Sequence, residues 1–177
     1  MRFLRTSLFG GITLLLGFIL LTACRQPAWG LEPKTDEKPA YETVYIKGRI
    51  VWMSDVLEKR FGVKTDHDSV HTQAVLETST GEVYPLVKDL RGRGFWMDKR
   101  LRDVPVELLV RRYPTASMIQ VIRVYTFQKS KKYEFDYWCD ICSIPMYELK
   151  ECECCQGPIR PRYRLVPAGE TEPLPEK

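Results

Sequence analysis

The clearest pattern along the chain is a two-residue alternation that begins near Tyr41. Val44, Ile46, Gly48, Ile50 and Trp52 fall on one side, and Thr43, Tyr45, Lys47 and Arg49 on the other. That is the period of a β-strand with one buried face. Gly48, on the apolar side, predicts a bend or bulge where a sheet curls on itself. Ser54 then stands where an N-cap belongs, Leu57 and Phe61 are spaced i, i+4, and Gly62 supplies a stop, so a helix of about two turns is predicted. Residues 74–78 and 82–87, joined through Ser79, Thr80 and Gly81, predict a hairpin with Gly81 at positive φ. Val104, Val106, Leu108 and Val110 share one face of a further strand, Tyr113 to Ala116 turns, and residues 119–127 form a fifth strand. Residues 133–138 alternate again, with Tyr133, Phe135 and Tyr137 on one face, and run straight into Cys139.

Five strands with a Gly-bent first member and short helical inserts predict a mainly β fold, a small antiparallel Greek-key barrel. The series VYIKGRIV, LETSTGEVYPL, LRDVPVELLVRRY and IQVIRVY resembles the OB-like (oligonucleotide/oligosaccharide-binding) barrels of exported bacterial proteins. The resemblance covers about half the chain, residues 41–128, and is one of topology. A five-stranded SH3-like barrel or an open sheet fits the same strand list.

The ends of the chain read differently. Residues 1–23 have a basic start (Arg2, Arg5), an apolar run of fourteen residues from Leu8 to Leu21, and small residues at their end. A membrane span needs about 20 residues, so a secretion signal is the better reading. Leu21-Thr22-Ala23-Cys24 resembles the lipobox of bacterial lipoproteins. That resemblance implies that Cys24 is acylated, with palmitate among the chains, and becomes the mature N-terminus, anchored to the membrane outside the cytoplasm. Arg25 stands where Asp would mark inner-membrane retention in lipoproteins of the enteric type, which favours an outer membrane where the cell has one. Residues 24–40 then form the lipidated N-terminus and an extended tether, with Pro27, Pro33 and Pro39 among alternating charges. Residues 166–177, rich in proline and acids, predict a disordered tail.

Composition narrows the classes. Loss of Arg2 and Arg5 with the leader lowers the formal net charge from +4 to +2, and so near-neutral a chain argues against a dedicated nucleic-acid binder. There is no G-x-S-x-G, phosphate loop, G-x-G-x-x-G or H-E-x-x-H, so the sequence offers no catalytic residue and predicts a binding or structural protein rather than an enzyme.

The candidate chemistry lies in residues 129–165, read as a small zinc-ribbon-like module. Cys139 and Cys142 form one C-x2-C, and Cys152 and Cys155 another, nine residues on, with Cys154 inside the second pair. Two such pairs can complete a tetrahedral shell of four thiolates around Zn2+, the structural cofactor the spacing favours. Cys154 is the alternative ligand, through a C-x-C with Cys152. The layout is similar to a zinc ribbon or to rubredoxin-type knuckles, although Ser143 and Gln156 stand where rubredoxin has glycine. That likeness keeps a redox iron site or exchange dithiol as a second reading. An oxidising envelope makes a disulfide framework the third, although five thiols remain once Cys24 is lipidated, an odd number. Lys129, Lys131, Lys132, Lys150, Arg160, Arg162 and Arg164 flank the cluster and are either counter-charges for the thiolates or a solvated surface.

Three weaker signals remain. His67 and His71 are spaced i, i+4 but lie in a polar stretch without helical period, which predicts a loop rather than a metal site. Arg91, Arg93, Trp96 and Arg100 mix bases with an aromatic, either a packed Trp beside a solvated loop or a face for an oligosaccharide, another anionic polymer, a lipid headgroup or nucleic acid, the last disfavoured outside the cytoplasm; an envelope protein is the other partner expected of the barrel. Glu134 and Asp136 alternate along one strand face, which predicts its wet side.

Overall fold

A computed structural model describes residues 41–167 of the chain. The expected signal segment, Cys24, the expected tether and residues 168–177 of the expected tail lie outside the described residues.

Eight strands form one antiparallel sheet: β1 (Glu42–Trp52), β2 (Ala74–Glu77), β3 (Val83–Pro85), β4 (Pro105–Arg112), β5 (Ile119–Gln128), β6 (Lys131–Cys139), β7 (Ile144–Met146) and β8 (Arg160–Leu165). The order is β3-β2-β1-β4-β5-β6-β7, and β8 pairs with β6. The long β1 makes the curl possible. Its residues Glu42 to Arg49 pair with β4, and Arg49 to Trp52 pair with β2, so the strand passes from one partner to the other at Gly48 and Arg49. A Cβ on Gly48 would lie 2.4 Å from the carbonyl oxygen of Glu77, so only glycine lets the hairpin come this close. The sheet curls far enough for Leu86, just past β3, to form a parallel bridge with Ile119 at the start of β5, and the Val87 N–H donates to the Ile119 carbonyl at 3.0 Å. This is the Greek-key, OB-like half-barrel that the strand pattern predicts.

The inner face carries the core. Ile50, Leu76, Leu86, Val106, Leu108, Val110, Val121 and Tyr137 are buried together with Phe95 and Leu101 from the β3–β4 connection. The β4–β5 register shifts between Leu109 and Val110, a bulge that leaves Ile122 as the extra residue.

The helix departs from the expected one. Helix α1 (Met53–Phe61) starts directly from β1, and its N-cap is Trp52 with no side-chain cap, so Ser54 sits inside the first turn. The orphan N–H of Met53 is met instead by the Gln73 carbonyl at 2.9 Å. Leu57 and Phe61 do not form the buried face; Phe61 is 69% exposed and Val56 is the residue that packs, against Val51 and Val75. This small cluster covers the outer side of the sheet, and for that reason Val51 is buried although it alternates with Ile50. Gly62 does stop the helix, at φ 66°. Gly81 likewise takes φ 86° in the β2–β3 turn.

β6 continues the same sheet. Its first half pairs with β5, its last three residues with β7, and β8 runs alongside both. The segment that carries the cysteines is therefore hydrogen-bonded into the barrel wall. Among the described residues no helix is long and apolar enough to cross a membrane.

Candidate metal centre

Cys139 ends β6, and its pairing with Ile144 makes residues 140–143 the loop of the β6–β7 hairpin. The second knuckle precedes β8. The pairing of Trp138 with Arg160 brings the chain just before β8 back to the end of β6, and this long-range pairing is what joins the two C-x2-C elements. The Sγ atoms of Cys139, Cys142, Cys152 and Cys155 all lie within 4.8 Å of one another, and Cys139 and Cys155 are 3.5 Å apart. Cys139 and Cys152 are buried, Cys142 and Cys155 half-buried, and Cys154 is exposed and outside the cluster. The pairing through Cys155 rather than Cys154 is thus the one the fold assembles.

The two knuckles share one backbone design. The Ser143 N–H donates to the Cys139 carbonyl and the Gln156 N–H to the Cys152 carbonyl, each at 2.8 Å. Ser143 has φ 55° and Gln156 φ 56°. The residues that replace glycine therefore still adopt the left-handed conformation that glycine would favour, and the departure is one of residue type alone. Gly157 has a different task. A Cβ there would stand 2.7 Å from Ile141 Cδ1 and 3.2 Å from Cys155 Sγ, so its lack of a side chain lets the tip of the first knuckle rest on the second.

Backbone donors face the sulfurs. The Cys142 N–H points at Cys139 Sγ at 3.4 Å. At Cys152, the N–H groups of Cys155 and then Cys154 outweigh burial and draw the thiol down to about 7. Cys139 has a matching donor in Cys142, but burial and the neighbouring Cys155 and Cys152 thiols raise it on balance. Cys142 is driven up, chiefly by Cys155 and then Cys154. Four thiols this close cannot all ionise unaided, because each thiolate opposes the next. A cation at their centre removes that opposition.

The flanking bases do not supply it. Arg160 pairs with Asp140 at 2.8 Å, Arg162 with Asp136 at 2.6 Å, Arg164 with Glu134 at 2.9 Å, Lys132 with Glu107 at 2.6 Å, and Lys150 with Glu148 and Glu153. Arg162, Arg164 and Lys132 brace strand against strand through carboxylates, while Arg160 makes an exposed surface pair and Lys150 ties together the segment between β7 and β8. The same bracing overturns the expectation for Asp136, which is 95% covered by the fold rather than wet. Arg162 covers it and also lies 3.7 Å from the Trp138 ring centre.

The Arg91, Arg93, Trp96 and Arg100 group is turned onto its own chain. Arg91 donates to the Ile122 carbonyl and stacks 4.0 Å from the Tyr147 ring, while Arg93 reaches both oxygens of Glu148 at 3.2 Å. Trp96 Nε1 donates to the Thr72 carbonyl at 2.7 Å, and Arg100 clasps both oxygens of Asp98. Arg91 and Arg93 thereby tie the β3–β4 connection to Tyr147 and Glu148, five and four residues ahead of Cys152. His67 and His71 form no site together; His71 stacks on Trp52 with ring centres 5.2 Å apart.

Two residues escaped the sequence reading. Asp98 and Glu148 are both buried carboxylates, and their sequence neighbours, Met97 and Lys99 for one and Tyr147 and Leu149 for the other, carry no signal of it. Burial would raise each, but Arg100 and then Tyr137 hold Asp98 below the usual carboxylate range, and Lys150 and Arg93 do the same for Glu148. Comparison with protein-family models, curated proteins and solved structures finds no match to the chain.

Proposed function

We propose that the chain is a lipid-anchored protein of the bacterial cell envelope, of binding or structural type, whose four-cysteine centre holds a structural Zn2+. One observation carries the metal: four sulfurs from two C-x2-C loops converge within 4.8 Å. An all-thiolate tetrahedral set suits Zn2+ or an iron centre, and a shell filled by four protein ligands leaves no open position for substrate, which favours a structural role. Bound there, the ion supplies charge compensation and a cross-link. Cys139 and Cys142 hold it from the β6–β7 hairpin, Cys152 and Cys155 from the approach to β8, and backbone N–H groups stabilise the thiolates. Metal analysis by mass spectrometry on untreated protein tests this, with one zinc per chain expected and less than a tenth of that refuting it.

The anchor rests on the Leu21-Thr22-Ala23-Cys24 motif and the apolar run before it. Labelling with radioactive palmitate is expected to mark the wild-type chain and to fail in Cys24→Ala; label retained in that variant refutes the anchor. A second reading, an envelope electron-transfer protein with iron in place of zinc, draws on the matched left-handed turns at Ser143 and Gln156. Its test is colour, because ferric thiolate absorbs visible light and Zn2+ does not.

A further inference from the structure

The curl of the sheet leaves a cleft of about 400 Å3 where β1 passes from β4 to β2. Lys47 and Arg49 stand on its β1 wall, Thr78 and Ser79 of the β2–β3 turn face them, and Phe127 at the end of β5 adds an exposed ring. The volume is that of a small-molecule site. Gly48 at the floor keeps the backbone bare, since no side chain fits above Glu77.

Charge decides what kind of ligand this cleft suits. Glu77, the carboxylate of its lining, is occupied by Arg60, and Glu107, opposite Lys47 across the β1–β4 pair, is occupied by Lys132. Lys47 has no ion pair among the described residues. Arg49 is steadied by a 3.0 Å hydrogen bond from Nη1 to the Asp103 carbonyl, which leaves its charge uncompensated. The Thr78 hydroxyl is taken up within the turn, accepting from the Glu82 N–H at 3.0 Å and bonding to the Thr80 hydroxyl at 2.8 Å. Two positive charges without an ion pair among the described residues, two residues apart, with the Ser79 hydroxyl and an aromatic face, form a complementary set for a ring that carries an anionic group. A single exposed ring is too little for the successive base stacking on which single-stranded nucleic-acid grooves depend, and the near-neutral chain lacks their electrostatic drive. A pyranose needs one aromatic surface for its C–H face and donors for its hydroxyls and carboxylate.

We infer that the cleft between Lys47, Arg49, Ser79 and Phe127 binds an anionic sugar unit of an oligosaccharide. The cleft contains no cysteine, so this inference and the metal reading succeed or fail separately. The test uses the full-length chain in detergent and a fluorescein-labelled heparin hexasaccharide, followed by anisotropy. Saturable binding is expected, weakened by added salt because the contacts are charged and exposed. It should fall about tenfold or more in Lys47→Ala with Arg49→Ala, the equivalent of about 1.4 kcal/mol. Phe127→Ala should weaken it as well, with little change in its salt dependence. Lys59→Ala with Lys64→Ala, which removes the same charge from exposed positions off the cleft, should leave the affinity within twofold. Unlabelled dextran, neutral, should not compete. Absence of saturable binding, equal loss from the Lys59 and Lys64 pair, unchanged binding in the Lys47 and Arg49 pair, or tighter binding of oligothymidylate at the same residues overturns the inference. All the replaced side chains are exposed, and an unchanged thermal midpoint in each variant shows that a loss of binding is not a loss of fold.

Discussion

Withdrawing the ion from the four-cysteine centre should loosen the knuckles and leave the barrel standing, and the geometry fixes how large the change should be. A Zn–S bond of about 2.3 Å gives a tetrahedral S···S edge of about 3.8 Å. Cys139 and Cys155 are 3.5 Å apart and none of the six separations exceeds 4.8 Å, so the site accepts the ion with shifts of a few tenths of an ångström to about an ångström. Structural zinc contributes about 10–16 kcal/mol in small metallo-modules, against about 5–15 kcal/mol for the net stability of a whole domain. Little else holds residues 149–157. Ile141 is 69% exposed and Leu149 40%, so the apolar side chains nearest the cluster are largely wet. Upstream the chain is pinned without metal, by Arg93 on Glu148 and Arg91 on Tyr147. Chelator should therefore release the Ser143 and Gln156 amides to fast hydrogen exchange, while amides of β4 and of β6 before Cys139 stay protected. Alkylation followed by peptide mass analysis should find Cys154 alone modified before chelation and all five cysteines of the cluster region after it. Two results would refute the reasoning: five reactive thiols in the untreated protein, or thiols that ignore chelator and appear only after reductant, the mark of disulfides.

Other outcomes follow from single side chains. Cys154→Ser should keep a full complement of metal and Cys155→Ser should lose most of it, as read by metal analysis of the purified variants. Gly48→Ala drives a methyl group to 2.4 Å from the Glu77 carbonyl and 2.9 Å from Leu76 Cδ1, and urea unfolding should show a loss of about 1–3 kcal/mol. Tyr137→Phe removes the 2.6 Å hydrogen bond to Asp98, a buried carboxylate, and should cost about 1.5–3 kcal/mol at neutral pH. Because Asp98 is held below its unfolded value of about 3.9, its stabilising effect is complete above that pH and is lost as the pH falls through the lower folded value. Unfolding curves from pH 7 to pH 2 should accordingly show a shallower acid limb for Asp98→Asn than for wild type.

The strand list was legible from the chain because each strand before Cys139 carries its own evidence: alternation along β1 and β4, a positive-φ glycine at 81, a turn at 113–116. The cysteine ligands were legible too, since C-x2-C spacing is a local property that sets two sulfurs on one loop wherever that loop lies. The face of α1 was not. Val56 rather than Leu57 and Phe61 is buried because the helix begins without a break from Trp52, and the direction in which β1 ends sets which side meets Val51 and Val75. Asp136 and the flanking arginines were misplaced for a similar reason. Whether a charged residue on a strand is wet depends on what lies next to it, and β8, more than twenty residues downstream, covers β6.

The chain by itself thus determined the properties that reside within one element: the period of each strand, the turn glycines, the two knuckles, and the motif at Cys24. Only the tertiary structure decided that the two knuckles meet, since the β6–β8 register returns the chain after Cys155 to the end of β6, and which charges are free. Arg91, Arg93 and Arg100 are spent on internal partners, while Lys47 and Arg49, unremarkable in an alternating strand, are left uncompensated beside a cleft. The physical reason is range. Alternation and capping act over a few residues, whereas pairing of charges and convergence of ligands act over distances that only the folded sheet makes short.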